Sequence, residues 1–289
     1  LFDKNFTEDL CMALNERPKP CIRVNTLVTD REELEKQLSA EGARVAPGLF
    51  AEEALYILDS PPIAQLESFN KGLFAFQDES SIIASLAAGV KSNDKVLDVA
   101  AAPGGKTAHM AAIMQNKGEI IAWDIHPHRV KLIEQNCRRL KATIVVPEVR
   151  NAKIPDKNMF NKFDKVIIDA PCSGLGVIRR KPDIKWSKKP EDITALKSEQ
   201  KEILEVCSKY VKPEGFLIYS TCSIEPEENE KNVDEFLAKN DSFIYDDLRP
   251  YLPEKLHDSL EQPYGYITLY PNIHGTDGFF IARLKRIKA

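Results

Sequence analysis

The chain has 289 residues, 43% of them hydrophobic, with 40 basic and 44 acidic side chains and a formal net charge of −4. That length can bury a sizeable core and points to one large domain with an appendage. The slight acidity gives no global pull toward nucleic acid, so any such partner has to be met by local positive patches. No apolar run approaches the length of a signal sequence or membrane span. The six cysteines (11, 21, 137, 172, 207 and 222) lie far apart, without C-x-x-C or histidine pairing at metal-ligand spacing. A cytoplasmic, metal-free monomer with reduced thiols is expected. The chain opens at Leu1 rather than a methionine, so a segment upstream is also expected.

Residues 1–75 read as a small α/β appendage. Cys21 to Leu27 has the pattern of a strand, Thr29 and Asp30 offer N-caps, and Glu32 to Ala40 carry helical spacing that ends at Gly42. A second strand is predicted over Ala54 to Asp59. Pro61-Pro62 then breaks regular structure, and Gln77 to Ser81 reads as a capped helix start.

From residue 76 to 289 the pattern alternates between strand and helix. Strands are predicted at 95–100, 119–124, 143–149, 165–170 and 215–221, and amphipathic helices near 79–89, 106–115, 127–140, 191–211 and 227–239. Gly278 to Arg286 reads as a last strand with a basic tip. Such alternation implies an α/β fold with a mostly parallel sheet, helices on both faces, and a ligand bound at the carboxyl ends of the strands.

The unusual residues fall at those ends. Lys95-Val-Leu-Asp-Val-Ala-Ala-Ala-Pro-Gly-Gly-Lys106 reads as a buried strand, a glycine turn and a helix N-terminus whose unpaired N–H groups a ligand can approach. Asp124 closes the next strand, about twenty residues on, where a nucleotide-binding unit places an acid on ribose hydroxyls. Neither G-x-G-x-x-G nor G-x-x-x-x-G-K-[ST] occurs, which favours a simple nucleoside over a dinucleotide or a triphosphate. An ordinary Gly-rich turn of an α/β protein is the alternative. The fourth strand runs into Asp169-Ala-Pro-Cys-Ser-Gly174 and the fifth into Thr221-Cys-Ser223. Adjacent parallel strands lie roughly 5 Å apart, so Cys172 and Cys222 can face one another across one site. Taken singly, each cysteine reads as a small buried hydrophobe.

Gln77-Asp78-x-Ser80-Ser81, Ala101-Ala-Pro-Gly-Gly-Lys106, Asp169-Ala-Pro-Cys172 and Thr221-Cys-Ser223 together resemble the Sun/RsmB family of S-adenosylmethionine-dependent RNA cytosine-C5 methyltransferases. Gly176 to Trp186 and His274 to Phe280 are most similar to the bacterial small-subunit ribosomal RNA enzymes. The resemblance implies a Rossmann-like class I methyltransferase fold at 76–289, with a small α/β RNA-binding subdomain at 1–75. It implies that Cys222 is the nucleophile that adds to cytosine C6 and makes C5 able to accept a methyl group. Cys172 is then the second family cysteine, aiding proton loss from C5 and release of product. Asp169 hydrogen-bonds the base edge and borders the methyl donor. Ala100, Ala101, Ala102, Pro103, Gly104, Gly105 and Lys106 match the S-adenosylmethionine loop, and Asp124 the ribose acid. Where the family usually has an aspartate in D-A-R or D-G-R, this chain has Asn151-Ala-Lys153. Asn151 can hydrogen-bond adenine, and Glu148 is the other candidate. Ribosomal members also carry an N-terminal NusB-like helical domain, of which this chain has no counterpart.

The run 174–189 supplies a local patch for RNA. Arg179, Arg180, Lys181, Lys185, Lys188 and Lys189 stand against one acid, Asp183, with Trp186 among them. Basic groups neutralise phosphates, and an exposed aromatic ring stacks an unpaired base. Arg23 with Asn25, Arg129, Arg138 and Arg139 form a second candidate patch. Small-subunit ribosomal RNA is the expected substrate. Transfer RNA, a DNA substrate with Cys172 as nucleophile, exocyclic-amine methylation and a non-catalytic RNA-binding role are the alternatives.

Overall fold

The computed structural model describes residues 2–288. Its first element is helix α1 (Lys4–Asn15), capped by Asp3, whose carboxylate accepts from the Phe6 N–H. Strand β1 (Cys21–Val24), helix α2 (Arg31–Ala40), strands β2 (Arg44–Pro47) and β3 (Ala54–Asp59), helix α3 (Glu67–Asn70) and strand β4 (Phe74–Phe76) follow. The four strands form an antiparallel sheet in the order β2-β3-β1-β4. Alternation along β1 gives this sheet two buried faces. Ile22 and Val24 pack with Leu34 and Leu38 of α2, whereas Cys21 packs with Ala54 and Ile82. Ile82 belongs to helix α4 (Glu79–Ala87), so the second face is closed by the larger unit.

The larger unit continues through β5 (Lys95–Val99), α5 (Gly105–Ile113), β6 (Glu119–Asp124), α6 (Pro127–Arg139), β7 (Val145–Val149), β8 (Phe163–Asp169), α7 (Ile184–Ser187) and α8 (Pro190–Cys207). It then runs through β9 (Val211–Thr221), α9 (Glu230–Lys239), β10 (Phe243–Tyr245), β11 (Leu260–Glu261), β12 (Tyr266–Leu269), α10 (Pro271–His274) and β13 (Phe279–Arg286). Strands β7-β6-β5-β8-β9 are parallel neighbours in that order. Beyond β9 the sheet turns antiparallel through β13, which also pairs with β12 and β10, and β11 closes the edge. The parallel half matches the expectation from sequence; the antiparallel extension enlarges it.

Two cores flank this sheet, as the near-continuous apolar runs of the parallel strands require. Val96, Ile120, Ile167 and Ile218 face residues of α4, α5 and α6, including Ile83, Met110 and Ile133. Their neighbours Leu97, Val166, Ile168, Leu217 and Tyr219 face Ile203 and Leu204 of α8 and Val233 and Phe236 of α9. The chain proceeds from β5 outward to β7 on one side, then returns to β8 and β9 on the other. The strand order therefore reverses between β5 and β8, and a crevice opens at their carboxyl ends, the usual ligand position in such sheets.

Candidate active site

Each strand that reaches the crevice ends in a residue singled out by the sequence. At the tip of β5, Ala100 adopts φ +58 and Gly104 φ +95, the latter as the N-cap of α5. The left-handed conformation favours glycine at 104, and a Cβ there would come 3.2 Å from the Ile133 Cα. Ala101 donates to the Trp123 carbonyl and Gly104 to the Ala101 carbonyl, each at 2.8 Å, which folds the loop back against β6.

Asp124 ends β6. Its Oδ1 accepts from the His126 N–H at 3.0 Å, while its Oδ2 is buried with no hydrogen-bond partner, Arg129 Nη1 standing 3.3 Å away. A cavity of about 220 Å³ opens beside it, lined among others by Ala100, Trp123, Asn151, Ala152 and Pro171. Asn151 thus shares this cavity with Asp124, its Oδ1 accepting from the Lys153 N–H at 3.0 Å. Glu148 is not among the lining residues and takes Arg150 Nε at 3.1 Å. A carboxylate oxygen with an ion-pair neighbour but no hydrogen-bond donor, a left-handed loop and an apolar wall suit a nucleoside with ribose hydroxyls to donate.

Beyond the cavity lies a reactive group of side chains. Asp169, at the end of β8, accepts from Lys106 Nζ at 2.7 Å and from Ser220 Oγ at 3.0 Å. Burial works against the Lys106 charge, but the Asp169 carboxylate outweighs it and holds that ammonium above the ordinary lysine value. Lys106, placed by sequence with the cofactor loop, therefore sends its charge to the Asp169 side of the crevice. Cys172 and Cys222 bring their sulfurs to 3.2 Å. The hydrogen bond with Cys172 holds Cys222 below the ordinary cysteine value against the opposing effect of burial, with Lys106 and Lys181 contributing favourable charge. The same hydrogen bond, together with burial, pushes Cys172 well up. The pair is thus asymmetric, with Cys222 the more easily ionised of the two, and the thiolate is the form of cysteine that attacks carbon.

The expected RNA patch is narrower than its sequence suggests. Arg179 donates to Asp277 at 2.6 Å and to the Gly275 carbonyl at 3.1 Å, and Arg180 joins Asp277 to Asp78. These two arginines bind partners about a hundred residues away and pin the β13 approach to the loop after Cys172. Lys181, Lys185 and Trp186 stay exposed, Trp186 at 87%. The second patch does not assemble. Arg23 is 1% exposed and donates to Gln77; Asn25, equally buried, donates to the Gly72 and Leu140 carbonyls. Arg139 donates to the Phe69 and Phe74 carbonyls, and Arg129 faces Asp124.

Sequence reasoning did not single out Ser173, Ser223 or Glu228, which form a buried polar cluster directly behind the cysteines. The visible signals were their places in the chain: Ser173 and Ser223 each directly follow a cysteine, and Glu228 lies in the acidic run Glu225-Pro-Glu-Glu-Asn229. Among the described residues no group of His, Cys, Asp and Glu has the arrangement of a metal site, and no helix is long and apolar enough to cross a membrane.

Comparison with known proteins follows this geometry. The family description "16S rRNA methyltransferase RsmB/F" matches residues 86–285, and the ferredoxin-like domain of RsmF/B-like methyltransferases matches residues 2–64. The chain is 41% identical over 281 residues to the probable ribosomal RNA small subunit methyltransferase B of Bacillus subtilis (strain 168), covering 96% of this chain and 62% of that protein. It is 34% identical to the 28S rRNA (cytosine(4447)-C(5))-methyltransferase of Homo sapiens, covering 95% of this chain and 35% of that one. The crystal structure of NSun6 from Pyrococcus horikoshii with SFG superposes with a TM-score of 0.87 at 25% identity, covering 100% of this chain and 96% of that one. The chain thus spans about three fifths of its bacterial relative. With both of its units matched and the Rossmann-like sheet in place, it belongs to the 16S rRNA methyltransferase RsmB/F family.

Proposed function

We propose that this chain methylates C5 of a cytidine in RNA, with small-subunit ribosomal RNA as substrate and S-adenosylmethionine as methyl donor. The observation that carries this reading is the hydrogen-bonded pair Cys172–Cys222, 3.2 Å apart, beside the Lys106–Asp169 ion pair at the switch point of the sheet. The relatives' names, all ribosomal RNA methyltransferases, support the substrate class. The loop 100–106, Asp124 and Asn151 would hold the donor, which supplies an electrophilic methyl group when bound.

The protein side chains do the rest. Cytosine C5 is a poor nucleophile until the ring is activated. The Cys222 thiolate adds to C6, forming a C–S bond and pushing an electron pair through C5. Asp169 hydrogen-bonds the base edge, and the Lys106 ammonium supplies positive charge where the ring gains electron density. After C5 has been alkylated, its proton must leave and the C6–S bond must break. Cys172, next to the Cys222 sulfur, stands where it can assist that elimination. Lys181, Lys185 and Trp186 form the RNA approach. Helix α1 backs it, since Leu10 and Leu14 pack with Ile178 and Ile184, and Lys185 reaches Asn15. This arrangement gives residues 1–75 a role in RNA placement.

A methyl-transfer assay with tritiated donor on naked small-subunit RNA, transfer RNA and duplex DNA, followed by nucleoside analysis, tests the reaction and the substrate. Labelled 5-methylcytidine from the ribosomal RNA is the expected product. RNA containing 5-fluorocytidine, whose fluorine cannot leave as a proton, should trap the protein covalently. Peptide mapping should place the adduct at Cys222, and attachment at Cys172 would reverse the two roles.

A further inference from the structure

Glu228 lies in the turn between β9 and α9 and has no exposed surface. Its Oε1 accepts from the Ser173 N–H and from Gln200 Nε2, each at 2.9 Å. Its Oε2 accepts from Ser173 Oγ at 2.5 Å and from Ser223 Oγ at 2.6 Å. Ser173 directly follows Cys172, and Ser223 directly follows Cys222. One buried carboxylate therefore bridges both cysteine-bearing loops, which come from different strands and meet nowhere else through a shared charged group in this cluster.

The bridge is itself fixed from outside the site. Gln200, on α8, also donates to the Pro171 carbonyl at 2.9 Å and accepts from Asn232 of α9. Tyr219 of β9 donates to the Glu228 carbonyl at 2.8 Å. A buried carboxylate is costly unless its oxygens are filled, and here four donors fill them. Burying an acid merely to cap a turn would not require donors from both loops. Reactive geometries have to be held to within about 0.5 Å, and loops alone do this poorly.

We infer that Glu228 is a positioning residue for the cysteine pair: acting through Ser173 and Ser223, it sets the separation of Cys172 and Cys222 and so the readiness of Cys222 to attack. This inference rests on the reading of Cys222 as the nucleophile. When the bridge is lost the loops part, the 3.2 Å contact between the Cys172 and Cys222 sulfurs is lost, and Cys222 ionises less easily.

Alkylation by iodoacetamide, followed peptide by peptide with mass spectrometry across pH, tests this without RNA. In Glu228→Ala the inflection for Cys222 should move to higher pH by about one pH unit, the size of one lost hydrogen bond to a charged group. Glu228→Gln should stay close to the parent, because the amide can bridge the same two loops with the serine hydroxyls accepting instead of donating. A carboxylate acting only through its charge would do the reverse, since removing a negative charge lowers the inflection in both variants. An unchanged or lowered inflection in Glu228→Ala would overturn the inference. If that variant does not fold, the double variant Ser173→Ala, Ser223→Ala removes the hydroxyl arms and should raise the inflection likewise; no rise there overturns it too. The 5-fluorocytidine adduct of the parent, mapped separately, reports on the nucleophile assignment alone.

Discussion

At the scale of single residues, two cysteines of similar surroundings are given unlike states by one hydrogen bond. The Cys172–Cys222 hydrogen bond lowers Cys222 and raises Cys172, and the Lys106–Asp169 pair sets a cation and a carboxylate in the same crevice, as the proposed reaction needs. Cys222→Ala should abolish methyl transfer and form no adduct, because without the thiolate C5 is never activated. Cys172→Ala removes the hydrogen bond that lowers Cys222, so attack should need a higher pH, but once the adduct has formed elimination should be slow, accumulating a protein–RNA species that survives denaturing electrophoresis. Equal loss of activity in both variants with no adduct in either would sink this division of roles. The cysteines and Asp169 were legible in the sequence because they stand at or just past the ends of runs that read as strands, within the motifs Asp169-Ala-Pro-Cys172 and Thr221-Cys-Ser223 that carry the family resemblance. Glu228 was not, because its meaning depends on Ser173, 55 residues away in the chain.

At the scale of elements, the β5–α5 turn and the loop after β8 show how far local pattern reaches. Gly104 sits at φ +95 against α6, so Gly104→Val strains the backbone and pushes on Ile133. A folded Gly104→Val protein should bind S-adenosylmethionine more weakly by calorimetry, as should Asp124→Ala; unchanged affinity in both would remove the pocket assignment. The parallel strands were readable because long β-branched runs persist whatever they pack against. Helix α1 was not, because only Leu10 and Leu14 are buried, against partners near residues 178 and 270. Strands β10, β11 and β12, of two to four residues, carry too little periodicity to register. The run 179–189 reads as one basic patch but divides by partner. Arg179 is an internal ion-pair member, 8% exposed beside an Asp277 side chain that is 3% exposed, and since Arg180 still pairs with Asp277, Arg179→Ala should cost about 2 kcal/mol in urea unfolding, the size of one lost hydrogen bond to a charged group. Replacing Lys181 and Lys185 with Gln should instead leave stability level and flatten the salt dependence of RNA binding, each lost phosphate contact lowering the log–log slope by about 0.7 to 0.9. A salt slope equal to the parent's would make the lysines a solvated face.

At the scale of the whole molecule, the two units are joined by a buried polar seam rather than a flexible linker. Glu79, at the start of α4, accepts from the Leu49, Phe50 and Ala51 N–H groups and from the Tyr56 hydroxyl, tying the larger unit to the small sheet. Arg23 reaches Gln77 across the same seam, and His109 of α5 lies buried 3.7 Å from Glu53. No feature of the sequence announces such a seam, since each member is an ordinary polar residue until the two sheets meet. Titration of the buried groups gives the molecule two opposed pH responses. Burial raises the Asp98 carboxyl from its ordinary 3.8 to about 7, the Thr107 hydrogen bond offsetting only part of that. The native state then holds a proton that the unfolded chain has released, so this group makes stability fall as pH rises from about 4 to about 7. Burial, aided by Arg23, lowers His109 from 6.5 to about 4. Here the unfolded chain holds the extra proton, so stability rises from about pH 4 to about 6.5. The Asp98 response is worth about 4 kcal/mol and the His109 response about 3 kcal/mol, so together they largely cancel. The parent should accordingly show a shallow profile in urea unfolding between pH 4 and 7. Asp98→Asn should unmask a rise in stability with pH, and His109→Gln a fall. Profiles for both variants that run parallel to the parent would show that neither proton is exchanged on unfolding, and so that the two groups keep ordinary affinities in the folded chain.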